Sequence, residues 1–218
     1  MDEDFGNRRT SCHEIRRASL CGALPRGSDA SRGVLPREIL ERSRRISLRR
    51  NRGPEGNDAS IRPNQIYAVA LCNDQVTEEQ AEQILRIVED HMLTPVRLRT
   101  LSPKDNRYRP RYEGAVAERD GAYHQGTVWP FLLGPFVIAW RKVNGNSTAK
   151  NRQARAFLDG LEGHFHDACL GQVSEIFDAE APDRARGCFA QAWSVAEPLR
   201  VLIEELDAKA KAKPIREK

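Results

Sequence analysis

Lysine is absent from the first 103 residues; the first in the chain is Lys104. Residues 1–52 carry 13 arginines against 7 acidic residues, and Phe5 is their one aromatic side chain. An arm built to hold nucleic-acid phosphates normally mixes lysine with arginine. The bias therefore argues against nucleic-acid binding, and a single ring is too little to build a core there. Cysteines are few and scattered: Cys12, Cys21, Cys72, Cys169 and Cys188. Their odd number and the lack of a CxxC pair suggest neither a zinc site nor a disulfide framework. A reducing cytoplasm is the expected compartment. No apolar run is long enough to span a membrane, and the N-terminus has no apolar signal region. Neither a metal nor a cofactor is expected.

What is present divides at residue 52. The 218 residues allow one or two domains and a real core. Beyond residue 52 the chain has 22 basic and 24 acidic side chains, so the excess positive charge lies wholly in the first quarter. Arginine-rich, lysine-free sequence is what GC-rich coding DNA gives when read out of frame. Shifting "VLPREILERSRRISLRRNR" (34–52) by one base, with permitted codons, yields "SFREKFWNEAGGYLYDVI". That string has aromatics, helix formers and a Gly-Gly turn. The competing reading is a disordered basic tail.

From Gly53 the pattern is helical. "IRPNQIYAVALC" starts a helix near Pro63, with Ile66, Val69 and Ala70 on one face. "VTEEQAEQILRIVEDHML" has Thr77 and Gln80 spaced as a capping box and Ile84, Leu85 and Val88 at helical intervals. "TVWPFLLGPFVIAWRKVNG" is apolar nearly all round and should be buried. "STAKNRQARAFLDGLEGHFHDAC" is a further helix capped by Ser147 or Thr148. "FAQAWSVAEPLRVLIEELDA" is another, with Phe189, Trp193 and Ala196 on one face. Long polar connections separate these segments, and no strand pairs stand out. The expectation is an all-α fold with elaborate loops, closer to a toroid of helical hairpins than to a bundle with short connections.

Three loops concentrate polar and aromatic groups: "RLRTLS", "YEGAVAERDGAYHQGTVWP" and "SEIFDAEAPDRARGCFAQAW". Sugars stack their flat C–H faces on aromatic rings and need planar donors and acceptors for their hydroxyls. Tyr123, Trp129 and Trp193 supply rings, and Arg99, His124 and Gln125 supply polar groups. Trp129 and Trp193 fit core packing equally well, and His124 alone fits a structural role. A glycosidase needs two carboxylates. Glu175 and Asp178 are interleaved with Ile176 and Phe177, so partial burial can tune them, whereas Glu180 and Asp183 read as solvated.

Taken together, "GPEGNDASIRPNQIYAV", "TPVRLRTLSPKDNRYRPRYEG", "RDGAYHQGTVWPFLLGPF" and "SEIFDAEAPDRARGCFAQAWSVAE" resemble the C-terminal glucosidase region of glycogen debranching enzymes, the amylo-α-1,6-glucosidase family. The resemblance runs from about Gly53 to about Leu206. It implies a partial (α/α)6 toroid and hydrolysis of α-1,6-linked glucose at glycogen branch points by inversion. It also implies that Glu175 is the general base. Arg99, Thr100, Asp120, Tyr123, His124, Gln125, Trp129 and Trp193 are implied to line or orient the glucose subsite. The glucan partner is glycogen or a limit dextrin.

The family's acid lies in a tryptophan-rich segment that has no counterpart here. Upstream of "GPEG" the family shows a "GGYLYD"-like turn, which the shifted reading reproduces. The expected organisation is therefore a non-native, poorly packed segment at 1–52, the C-terminal part of a glucosidase domain at 53–206 and a charged tail at 207–218. Such a chain is expected to be inactive alone, with a complementing N-terminal polypeptide as a partner. The alternative is a non-catalytic carbohydrate-binding remnant.

Overall fold

A computed structural model describes residues 58–207 apart from 72–75 and 96, together with the backbone of short strands ahead of them. Those strands are β1 (Leu40–Glu41), β2 (Ile46–Ser47), β3 (Arg50–Gly53) and β4 (Gly56–Asp58), paired β1–β2 and β3–β4. Otherwise the expectations for residues 1–52 and for the tail from 208 fall outside the described residues.

Among the described residues six α-helices follow: α1 (Ile66–Leu71), α2 (Glu78–Met92), α3 (Val116–Ala122), α4 (Leu133–Asn144), α5 (Thr148–Asp159) and α6 (Ala192–Val201). Local chemistry sets several of their ends. Pro63 opens a 3-10 turn that leads into α1, since its fixed φ and missing N–H suit a helix start. At α2 the Thr77 hydroxyl accepts from the Gln80 amide while the Gln80 side chain accepts from the Thr77 amide. Ser147, rather than Thr148, caps α5 by accepting from the Lys150 amide.

Helix α4 is the hub. It buries Leu133, Phe136, Val137 and Trp140, and it packs against α1, α2, α5 and α6. Each large apolar side chain buried in this way contributes about 1.5–3 kcal/mol. Gly134 permits the close approach of α6, because a Cβ there would lie 2.3 Å from Glu197 Oε2.

Helices are not the whole fold, and the all-α expectation is corrected by a five-stranded antiparallel sheet. Its strands are β5 (Leu93–Thr94), β6 (Arg97–Arg99), β7 (Val128–Trp129), β8 (Ile176–Phe177) and β9 (Ala185–Arg186), neighbouring one another in chain order. The strands are two or three residues long, too short to show the alternation by which a strand is recognised. Leu98, Val128, Ile176 and Phe177 from this sheet join the helical core.

A second correction concerns α6. Its buried residues are Ser194, Pro198 and Val201. Trp193 and Ala196 are on the exposed side, and Phe189 lies before the helix and is exposed. The stretch expected as one helix from Ser147 to Cys169 leaves the α-helix after Asp159 and re-forms as a 3-10 turn at Gly163–His166.

Candidate active site

The sheet brings the three polar loops to one edge. Leu98 pairs with Trp129 and Arg99 with Val128, and Val128 also pairs with Phe177. The "YHQG" turn therefore enters β7 beside the "RLRT" strand, and Glu175 enters β8 next to both.

Glu175 is held from two directions. Its Oε2 accepts from the Cys188 amide at 3.0 Å, and its Oε1 accepts from the Tyr123 hydroxyl. Its own amide donates to the Cys188 carbonyl at 2.8 Å. Gly187 stands directly behind the carboxylate with φ +67°, and a Cβ there would lie 2.5 Å from Glu175 Oε2. Both the backbone conformation and the space favour glycine at that position.

Around this carboxylate runs a chain of rings. Tyr123 touches Tyr112, His124 and Trp129, with centroids 5.6, 4.8 and 4.8 Å away. Trp129 is 4% exposed, and its Nε1 donates to the Tyr123 carbonyl at 3.1 Å. The exposed His124 ring stacks on Trp129 at 5.1 Å with an interplanar angle of 15°. Trp193 follows at 6.2 Å and packs on Phe131 at 5.6 Å. It is 49% exposed, so it offers an open ring face where Trp129 does not. Burial, followed by the bond to the Glu175 carboxylate, holds the Tyr123 phenol above the ordinary phenol range.

Other residues singled out in the sequence support this wall from behind. The Thr100 hydroxyl donates to the Thr127 carbonyl at 3.0 Å and accepts from the Gly126 amide at 3.0 Å. Arg99 donates to the carbonyls of Leu93 and Ala179 at 3.2 and 3.3 Å, tying β5 to the segment after β8. The Gln125 side chain accepts from Arg62 at 2.6 Å. Asp120 sits exposed on α3. Asp178 is fully buried; its Oδ1 accepts from the Tyr112 amide at 2.8 Å. Its Oδ2 takes two bonds from Arg186, at 3.0 and 2.9 Å. Removing one partner of such a buried pair costs about 3–5 kcal/mol. Glu180 is exposed and Asp183 is half-buried.

Arg62 is the residue that sequence reasoning missed. Its buried guanidinium donates to the Thr100 and His124 carbonyls at 3.0 and 2.7 Å and to Gln125 Oε1 at 2.6 Å. It thereby clamps the "RT" strand end to the "YHQ" turn. The only hint in the sequence is an arginine directly ahead of Pro63, at the entrance to α1. Among the described residues, no group of three His, Cys, Asp or Glu side chains could hold a metal ion. Nor is any of their helices long and apolar enough to cross a membrane.

A half-buried carboxylate fixed beneath an aromatic wall with one open tryptophan face is the kind of site that carbohydrate-active proteins use. The chain belongs to the amylo-alpha-1,6-glucosidase family, which matches residues 41–200. It is also 30% identical, over 175 residues, to the glycogen debranching enzyme of Saccharomyces cerevisiae. That alignment covers 72% of this chain and 11% of the yeast protein.

Proposed function

We propose that this chain forms part of an α-1,6-glucosidase site acting on glycogen or limit dextrins, with Glu175 as general base. The observation that carries the reading is the placement of Glu175 beside Tyr123 and the ring series ending at Trp193, within a chain of this family. In the proposed step Glu175 takes a proton from water and the water oxygen bonds to the anomeric carbon. The glycosidic C–O bond breaks with inversion, and an acid protonates the leaving oxygen. We read that acid as supplied from elsewhere, since the family's tryptophan-rich acid segment has no counterpart here; the engagement of Asp178 by Arg186 and the Tyr112 amide supports this. The helices are read as part of an (α/α)6 toroid whose sheet-lined end carries the site, and the setting as cytoplasmic.

Glucose release from a limit dextrin tests this. The chain alone is expected to release none, and release should appear when a polypeptide carrying the missing acid is added. In that mixture Glu175→Gln should lower the rate by about 10²-fold or more. Release by the chain alone would remove the need for an external acid. An unchanged rate in Glu175→Gln would remove Glu175 as base. Binding of malto-oligosaccharides without release in the mixture would favour a non-catalytic carbohydrate-binding role, which the exposed Trp193 face beside Phe131 could serve.

A further inference from the structure

We propose that Tyr123 is the positioning residue for Glu175, its hydroxyl fixing Oε1 while the Cys188 amide fixes Oε2, so that the carboxylate is presented in one orientation. The inference rests on the reading of Glu175 as base and goes beyond it. It assigns Tyr123 a task directed at the carboxylate rather than at the sugar.

The two donors come from different parts of the fold. Tyr123 follows α3 and Cys188 follows β9, and together they grip both oxygens of one carboxylate. A carboxylate gripped at one oxygen can still rotate about its last side-chain bond; gripped at both, its plane is set. The Cys188 N–H can only donate. Its bond to Oε2 therefore fixes that oxygen as an acceptor facing the backbone.

Tyr123 is itself well held. Tyr112, His124 and Trp129 surround its ring, and its carbonyl accepts from Trp129 Nε1 and from the Thr127 hydroxyl, at 3.1 and 2.7 Å. Of the titratable groups around the phenol, Glu175 supplies the negative charge. Tyr112 and His124 flank the ring, and the Arg119 guanidinium lies over Tyr112 at 6.0 Å. Burial and the Glu175 charge hold the phenol proton in place, so Tyr123 keeps donating at any pH where a carboxylate acts as base.

Two measurements on the purified chain test this. Proton NMR should show a slowly exchanging, far-downfield phenolic resonance. It should vanish in Tyr123→Phe and move upfield in Glu175→Gln, the second variant leaving the tyrosine intact. A resonance that survives Tyr123→Phe, or ignores Glu175→Gln, overturns the proposal. Calorimetry then compares glucose with 1-deoxynojirimycin, a glucose-shaped ring that carries a cation. Tyr123→Phe should weaken the cationic sugar about tenfold while changing glucose affinity less than about twofold. Equal losses for both sugars would make Tyr123 an ordinary sugar ligand, and no loss for either would leave it without a positioning role; both results overturn the proposal. Where neither sugar binds the chain alone, the calorimetry is run on its mixture with the polypeptide carrying the missing acid; no binding there, with the resonance responding as expected, overturns the glucosidase reading and not the Tyr123–Glu175 contact.

Discussion

Arg97 stands in a backbone conformation that side chains rarely adopt. Its φ is +145°, it is 1% exposed, and none of its three guanidinium nitrogens has a hydrogen-bond partner among the described residues. Burial alone lowers its pKa to about 9. Backbone strain of this sort costs about 1–3 kcal/mol, and an unpaired buried cation adds to it. Arg97→Gly removes both, partly offset by the space left behind and by the greater freedom of glycine in the unfolded chain. It is expected to stabilise the chain by about 1 kcal/mol, measured by urea unfolding. A destabilised variant would show that Arg97 has a partner that matters. The sequence singled out Arg99 of "RLRT" and was silent on Arg97: the first ties strands together and the second sits in a glycine's place. Likewise, Trp129 and Trp193 were equivalent as letters. Burial distinguishes them, leaving Trp193 as the open ring.

At the scale of elements, the apolar helices were legible, whereas α3, which lies in a stretch read as a polar connection, and the strands were not. The Thr77–Gln80 capping box and the apolar run of α4 are local signals, and the structure shows both where the sequence put them. The sheet is different, because a two-residue strand exists only through its neighbours. Thr100 illustrates this. Its hydroxyl bridges the end of β6 to the Gly126 amide and the Thr127 carbonyl, just ahead of β7. Thr100→Val keeps the shape but leaves the buried Gly126 N–H unbonded, which costs about 1–3 kcal/mol. The expected result is a lower unfolding midpoint, by about 2–8 °C, with helical circular dichroism below the transition unchanged. Loss of helix signal in the folded state would mean that the sheet also organises the helices. Arg62 escaped notice for the same reason, since its partners lie 38 to 63 residues away.

For the whole molecule, pH acts through a buried histidine that ties the segment after α5 to the site. His164 Nε2 accepts from the Ser174 amide at 3.1 Å, and Ser174 directly precedes Glu175. Asp167 faces the ring from 3.7 Å, the Phe177 ring packs edge-on, and the Arg97 charge acts on it. Burial is the leading cause that keeps the His164 pKa below its ordinary 6.5. Stability from this group is therefore fully present above pH 6.5 and is lost as pH falls through the lower folded value. The thermal midpoint should drop between pH 7 and pH 5, and His164→Gln should flatten that dependence. An equal drop in the variant would assign it to other groups.

The sequence by itself determined the helical segments other than α3, two of their caps and the family, because caps and apolar periodicity act over a few residues and motifs are strings. It also singled out Glu175, Tyr123, His124, Trp129 and Trp193, which come together at the site. Only the tertiary structure decided what each of them touches. Tyr123 meets Glu175 across 52 positions, and Asp178 meets the Tyr112 amide across 66 while Arg186 holds its other oxygen. Such pairings depend on which loops the short strands bring to one edge, and that is settled by packing rather than by any local pattern.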